Sequence, residues 1–443
     1  MPYIANTDGD RAEMLRAIGA DNMEDLWHRA GVTEPAPSLD FLSHGRSEWE
    51  VSRLLIDLAA QNRTDLVSFA GGGYYEHFIP AAVSQIVERG EFLTSYTPYQ
   101  AEASQGTLQA IYEYQSMICR LTAMEVANAS LYDGGTALFE AILMALRRGK
   151  GRKVLLAGTL SPVYRKMIEC AGGHLDALFS TTAAGSAAAV AGEIGEHLDS
   201  DTAAVVLPYP DFFGRLYDWT KIIEEAHRTD ALALCACYPT SLSIAKPPGE
   251  MGFDIVTGEG QSLGSPLSFG GPYLGFMATT RDLFRRMPGR ICGRSRDVSG
   301  EQAFVLTLQA REQHIRRARA TSNVCTNQSL MALRAVVYLT LLGKEGFRQV
   351  GQRCAAKAAY LRKQLSKLPG ASVGDDPVFN EFVVKLPRNT EEIVRELIPE
   401  GFVAGVPLGV FYPERTRELL IAVTEIRTRE EIDSLVTSLR EVL

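Results

Sequence analysis

Uninterrupted apolar runs, separated by segments of helix length, set the tightest limit on what this chain can fold into. AVVLPY (204–209) and ALALCACY (231–238) carry no polar alternation. A strand of that kind is buried on both faces. Around these runs the pattern reads helix 107–120, helix 136–148, strand 153–157, helix 162–171, strand 203–207, helix 218–228, strand 231–236, strand 253–257 and strand 273–278. The alanine-rich stretch 181–191 reads as a helix or a loop excursion. Strands alternating with helices predict an α/β fold, a mostly parallel doubly wound sheet covered on both sides.

At 443 residues the chain exceeds what one core supports, so two or three domains are expected. A division at 1–95, 96–335 and 336–443 fits the pattern. The first part holds a helix over 11–30, ended by Pro35 and Pro37, and a helix over about 47–60 with Glu48 and Glu50 in its first turn. Residues 65–105 pack four tyrosines and six glycines or prolines into an irregular stretch, which reads as an ordered loop with a task. Long helices are expected over 300–341, then a helix over 342–368 crossing to a smaller α+β domain. That domain reads strand 379–386, helix 390–399, strand 418–424, helix 429–441. Its nearly uncharged stretch GFVAGVPLG (401–409) reads as a surface loop that packs on something.

The net charge of −8, with both signs interspersed, argues against nucleic acid or an anionic membrane as partner. No apolar run of about 18 residues suggests a membrane span, and the first twenty residues do not read as a secretory signal. Seven scattered cysteines suit a reduced, cytoplasmic protein. Cys235 and Cys237 are read as facing opposite sides of their strand, and the seven histidines do not cluster, so no metal is expected.

Several segments carry chemistry, each with a plainer explanation beside it. Asp133, Gly134, Gly135 and Thr136 stand before a helix, as in a phosphate cradle, and equally as in a capping turn. SYTPYQAEASQG (95–106) brings together Tyr96, Tyr99, Gln100, Glu102, Ser104 and Gln105, suited to a flat ring or to an interface. RARATSNVCTNQSL (317–330) offers Arg317, Arg319, Thr321, Ser322, Asn323, Thr326, Asn327 and Gln328 to an anion or to helix capping. Cys325 there reads as packing. GEGQSLG (258–264) ends a strand, where open α/β sheets bind ligands, and Glu259 reads as an acid–base group or a solvated carboxylate. GFDIVTGEGQSLGSPLSFGGPYLGF (252–276) has the strand, turn and glycine-rich loop that carry the imine lysine of pyridoxal-phosphate (PLP) enzymes. It has Glu259 and Gln261 and no lysine. Lys246, beside Pro247 and Pro248, is the nearest alternative.

SYTPYQAEASQGTLQAIYEYQSMICRLTAMEVANASLYDGGTAL (95–138), RATSNVCTNQSLMAL (319–333) and the 252–276 segment resemble glycine dehydrogenase (decarboxylating), the P-protein of the glycine cleavage system. The likeness runs from SRLLIDLA near residue 52 through the last domain. It implies the PLP fold-type I scaffold, similar to aspartate aminotransferase. In this family the enzyme is one long chain of two such halves or two separate subunits. Gly260 and Gln261 stand where the cofactor-bearing half has His-Lys, and LCACYPTSLSIAK lacks the aspartate expected under a pyridine nitrogen. Both departures resemble subunit 1, the half without its own cofactor.

The resemblance implies decarboxylation of glycine with PLP held by subunit 2, in an α2β2 assembly, and transfer of the aminomethyl group to the lipoyl arm of the H-protein. It implies Tyr96, Tyr99 and His77 as groups reaching across the interface, and Thr326 and Asn327 as contacts to the partner's PLP phosphate. Two other readings stay open. One is an independent PLP enzyme using Lys246. The other is a purely structural partner.

Overall fold

The computed structural model describes residues 5–34, 38–43, 45–320 and 322–443, so Pro35, Pro37 and Thr321 lie outside the described residues. The chain forms two compact units, 1–64 and 65–443.

In the first unit, the stretch read as one helix is two, Asp8–Ala17 and Met23–Arg29. Asn22 divides them. Its side chain accepts the Asp25 N–H at 2.8 Å and starts a new helix instead of continuing the old one. Glu48–Ala59 forms as read. Ser47 and Glu50 satisfy each other's backbone N–H groups in a capping box.

The second unit is built on a seven-stranded sheet. Its strands are β1 (Val126–Ala127), β2 (Lys153–Leu156), β3 (Leu178–Thr181), β4 (Thr202–Tyr209), β5 (Leu232–Cys237), β6 (Ile255–Glu259) and β7 (Gly275–Thr279), in the order β1-β7-β6-β5-β4-β2-β3. Strands β3, β2, β4, β5 and β6 are parallel, and β7 and β1 close one edge antiparallel. Every residue of β4 to β7 is buried. Ala204, Val206, Leu234 and Ala236 face Leu138, Ile142 and Ile168 on one side. Val205, Leu207, Ala233 and Cys235 face Tyr114, Ile118 and Trp219 on the other. Two cores on two faces explain why these strands show no alternation in sequence. Cys235 and Cys237 face the same side, in the same core, correcting the reading above. Residues two apart on a strand share a face.

After β7 the chain forms an antiparallel hairpin, β8 (Ile291–Arg296) with β9 (Gln302–Thr307), and short turns, where long helices were expected from residue 300. The long helix begins only at Ser329. It runs to Leu365 and is interrupted at Gly343 (φ 59°, ψ −177°). A four-stranded antiparallel sheet follows: β10 (Ser372–Val373), β11 (Glu381–Lys385), β12 (Val406–Pro407) and β13 (Glu418–Ala422), in the order β10-β11-β13-β12. Helices Thr390–Leu397 and Arg429–Val442 cover it.

The stretch 401–409 is not a surface loop. It contributes the Phe402–Val403 strand, which pairs in parallel with Val67–Ser68, and it buries Ala404 and Leu408 completely. Its lack of charge reflects burial in its own unit. The segment after residue 65 is tied to the four-stranded sheet next to this pairing, where the Phe69 carbonyl accepts the N–H of Ala422 in β13 (2.8 Å).

Candidate functional site

A cleft of about 740 Å³, counting its open mouth, lies over the C-terminal ends of β4, β5 and β6. Tyr74, Tyr75, Tyr164, Tyr238, Glu259 and Glu381 are among its walls. This is the location expected for a ligand in an open α/β sheet.

Glu259, the last residue of β6, turns into this cleft floor and is 5% exposed. One carboxylate oxygen accepts the N–H groups of Gln261 (2.9 Å) and Leu274 (3.0 Å). The other accepts the N–H of Gly134 (3.0 Å). Gly134 opens the helix Gly134–Leu146, so the carboxylate sits on a helix N-terminus, where its charge is favoured. Asp133 caps the same helix through the Thr136 N–H (2.8 Å). A Cβ on Gly134 would lie 2.4 Å from the Tyr164 hydroxyl and 2.7 Å from the Glu259 nitrogen, so only glycine permits the contact. Burial pushes the Glu259 carboxyl up to about 7, against the pull of three backbone N–H donors.

Gln261 is equally committed. Its amide N–H groups donate to the carbonyls of Tyr75 (3.1 Å) and Ser265 (2.7 Å), and its oxygen accepts the Tyr75 N–H (3.1 Å). It clamps the chain at Tyr75 to the loop after β6. The cleft therefore does not fit PLP. A carboxylate stands where a phosphate would need a helix N-terminus. Gln261 is not among the cleft walls, and it stands in sequence where the resemblance puts the imine lysine, with both amide N–H groups already used. Tyr238, with no carboxylate, follows β5. Lys246 holds Asp218 Oδ2 and Thr220 Oγ1 at 3.4 Å and is not among the cleft walls.

Glu381 was not singled out by the sequence. Its carboxylate accepts the Gly72 N–H (2.6 Å) and the Tyr75 hydroxyl (2.7 Å), and burial pushes it up to about 7. His77 is buried apart from the other candidates. Its Nδ1 lies 2.7 Å from Glu425 and its Nε2 lies 2.5 Å from the Tyr238 hydroxyl. Cys354 reaches the same Glu425 oxygen at 3.4 Å. These three side chains offer metal-type donors within 4.8 Å of one another, but Glu425 already joins the other two by hydrogen bonds. Both ring nitrogens of His77 are used inside the chain, which makes it a tie between residues 348 positions apart.

The other four candidates form one surface patch. Tyr96 is 70% exposed, with its hydroxyl 3.4 Å from Thr326 Oγ1. The neighbouring Asn327 donates from Nδ2 to the Ala129 carbonyl and to Ser130 Oγ, both at 2.9 Å. With both amide protons used internally, Asn327 has no side-chain donor left for a phosphate. Thr326 has one. The Ala129 N–H in turn donates to the Arg290 carbonyl. The guanidinium of Arg290, only 2% exposed, lies 5.5 Å over the Tyr99 ring and donates from Nη2 to the Tyr99 hydroxyl (3.2 Å). The His314 ring meets Tyr99 edge-on at 5.7 Å. Arg290 accepts no hydrogen bond, so it occupies a lone pair of the Tyr99 hydroxyl and leaves the phenolic proton free to donate to another group. Sequence reasoning missed Arg290. Its one signal is a cation in MPGRICG, at the start of an apolar strand.

The family model described as "Glycine cleavage system P-protein" matches residues 1–439. The chain is 46% identical to the probable glycine dehydrogenase (decarboxylating) subunit 1 of Thermomicrobium roseum, over 100% of this chain and 99% of that one. It is also 46% identical to the protein of the same description from Nitratidesulfovibrio vulgaris, with both chains fully covered. Among solved structures it is similar to glycine decarboxylase (P-protein) of the glycine cleavage system in inhibitor-bound form, with TM-score 0.89, 40% identity and full coverage of both chains. Glutamate decarboxylase from Lactobacillus brevis, at TM-score 0.67 and 13% identity over 95% of this chain and 98% of that one, shares the PLP fold-type I scaffold. A full-length match at this identity, on that scaffold, places the chain in the glycine cleavage system P-protein family, among its subunit 1 members.

Proposed function

We propose that this chain is the cofactor-free half of glycine decarboxylase and completes the site of a homologous, lysine-bearing chain, in an α2β2 assembly that serves the lipoylated H-protein. The observation that carries this reading is Glu259 on the Gly134 N–H, with Gln261 saturated beside it. The electron sink needed for CO2 loss then belongs to the partner. This chain binds, orients and excludes water. Tyr96 and Thr326 offer hydroxyls at the surface, and Arg290 leaves the Tyr99 hydroxyl free to donate. An enclosed, dry site favours decarboxylation, because the carboxylate loses its charge as CO2 leaves. His77 acts through the fold and touches no reacting atom. All seven thiols are unpaired, which suits a reducing compartment, and we place the chain in the cytoplasm.

Borohydride treatment of the chain with PLP, followed by peptide mapping, is expected to leave every lysine unmodified at stoichiometric levels. A single pyridoxylated lysine, Lys246 or another, would return the chain to the independent PLP enzymes. Glycine–CO2 exchange is expected only when the partner chain is added.

Tyr99→Phe tests the direct contribution. It keeps the ring under Arg290 and removes one hydroxyl. Loss of a buried hydrogen bond costs about 1–3 kcal/mol, so exchange in the assembled complex is expected to fall roughly 5- to 150-fold. Wild-type exchange in a fully assembled variant would leave this surface a structural support for the partner.

A further inference from the structure

The cleft over β4, β5 and β6 repels an anion and suits a cation. Asp211, Glu259 and Glu381 are among its walls, and among the described residues no lysine, arginine or histidine is. Asp211 is neutralised by Arg215, 2.7 Å away. Glu259 and Glu381 are not neutralised in this way. A carboxylate offers about four lone-pair sites. Glu259 uses three of them on the Gln261, Leu274 and Gly134 N–H groups, and Glu381 uses two on the Gly72 N–H and the Tyr75 hydroxyl. Each therefore keeps acceptor capacity. Burial raises both carboxyls to about 7, and a cation in the cleft would draw them down again.

Two further features point the same way. Tyr74, Tyr164, Phe212 and Tyr238 are also among the walls, and aromatic rings attract a cation through their π faces. Asn380 is a neutral donor in the wall. It is 2% exposed, and its Nδ2 is buried with no hydrogen-bond partner. Buried donors are nearly always paired, so an unpaired one in a ligand cleft marks a place for an acceptor.

We propose that the cleft binds a small organic ammonium bearing a neutral oxygen, of the amino-alcohol class. The ammonium meets Glu259 and Glu381 among the aromatic rings, and Asn380 donates to the oxygen. A zwitterionic amino acid is disfavoured, because the cleft has no cation for its carboxylate. That sets the ligand apart from glycine. The inference rests on the cleft being free of PLP, which the borohydride experiment tests by itself.

Calorimetry and thermal unfolding of the full chain, without a partner, test it with ethanolamine, ethylamine, glycine and acetate at matched ionic strength. Ethanolamine is expected to bind saturably, with a dissociation constant on the order of 1 mM, and to raise the unfolding temperature. Ethylamine keeps the charge and lacks the oxygen, so it is expected to bind about 5-fold or more weakly. Glycine and acetate are expected not to bind. Glu381→Gln is expected to weaken ethanolamine about 10-fold or more, and Asn380→Ala to bring it down to the level of ethylamine. Equal responses of the wild-type chain to ethanolamine and acetate overturn the proposal without recourse to a variant. Equal binding of ethanolamine and ethylamine overturns the amino-alcohol class. Ethanolamine binding that both substitutions leave unchanged overturns the cleft as its site.

Discussion

The isolated chain is expected to unfold at a higher temperature near pH 5.5 than near pH 8, by on the order of 5 °C. The cause is the pair of buried carboxyls in the cleft wall. Among the described residues neither Glu259 nor Glu381 has a cation partner, and burial raises each from 4.5 to about 7. Between those values the folded chain keeps two protons that the unfolded chain has lost. Stability from this source is complete below the unfolded value and is lost as pH rises through about 7. Each group contributes on the order of 2–3 kcal/mol to the slope. Glu381→Gln is expected to flatten the profile, because the amide is neutral at every pH. A melting temperature that stays level or rises over this window would show that neighbouring donors hold both groups ionised.

Gly214→Ala is expected to abolish soluble folded protein. Gly214 has φ 82°, and a Cβ there would lie 1.8 Å from the Glu381 carbonyl oxygen and 2.4 Å from its carbon. That carbonyl cannot retreat, because β11 pairs with β13 at Glu381–Ala422. Strain and backbone overlap together cost more than about 4 kcal/mol. Gly73→Ala is the control. Its φ is 112°, but nothing lies within 4 Å of the added carbon, so it carries the conformational cost alone. Equal urea midpoints for the two variants would mean that the clash near Glu381 relaxes without penalty.

Most of the large domain was legible in the sequence, because a strand buried on both faces has to be apolar throughout. AVVLPY and ALALCACY could be nothing else. Gln261 was also legible, since the absence of a lysine is visible without a structure. The hairpin β8–β9 was missed although QAFVLT alternates, because the helix-rich sequence after it dominated the reading. The stretch 401–409 misled for a different reason. Few charges mark either a covered surface or a buried strand, and only the pairing with Val67–Ser68 decides between them. Glu259 was read as a solvated carboxylate or an acid–base group, and its partners Gly134 and Leu274 are distant or unremarkable in sequence. Arg290 and Tyr99 stand 191 positions apart, and so does little in the sequence connect them. Long-range polar pairs of this kind follow from the fold. They cannot precede it.

Glu259 also bears on how the chain endures scarcity. A protein whose helix N-terminus is filled by a dissociable anion gains stability only while that ligand is supplied, about 2.7 kcal/mol at a hundred times its dissociation constant. Here the group that meets the helix N-terminus is a side chain tethered to the end of β6, accepting the Gly134 N–H, and it can never be diluted away. On the division of labour proposed above, a shortage of cofactor would act first on the lysine-bearing chain, while the contact between Glu259 and the Gly134 N–H in this chain would stay in place.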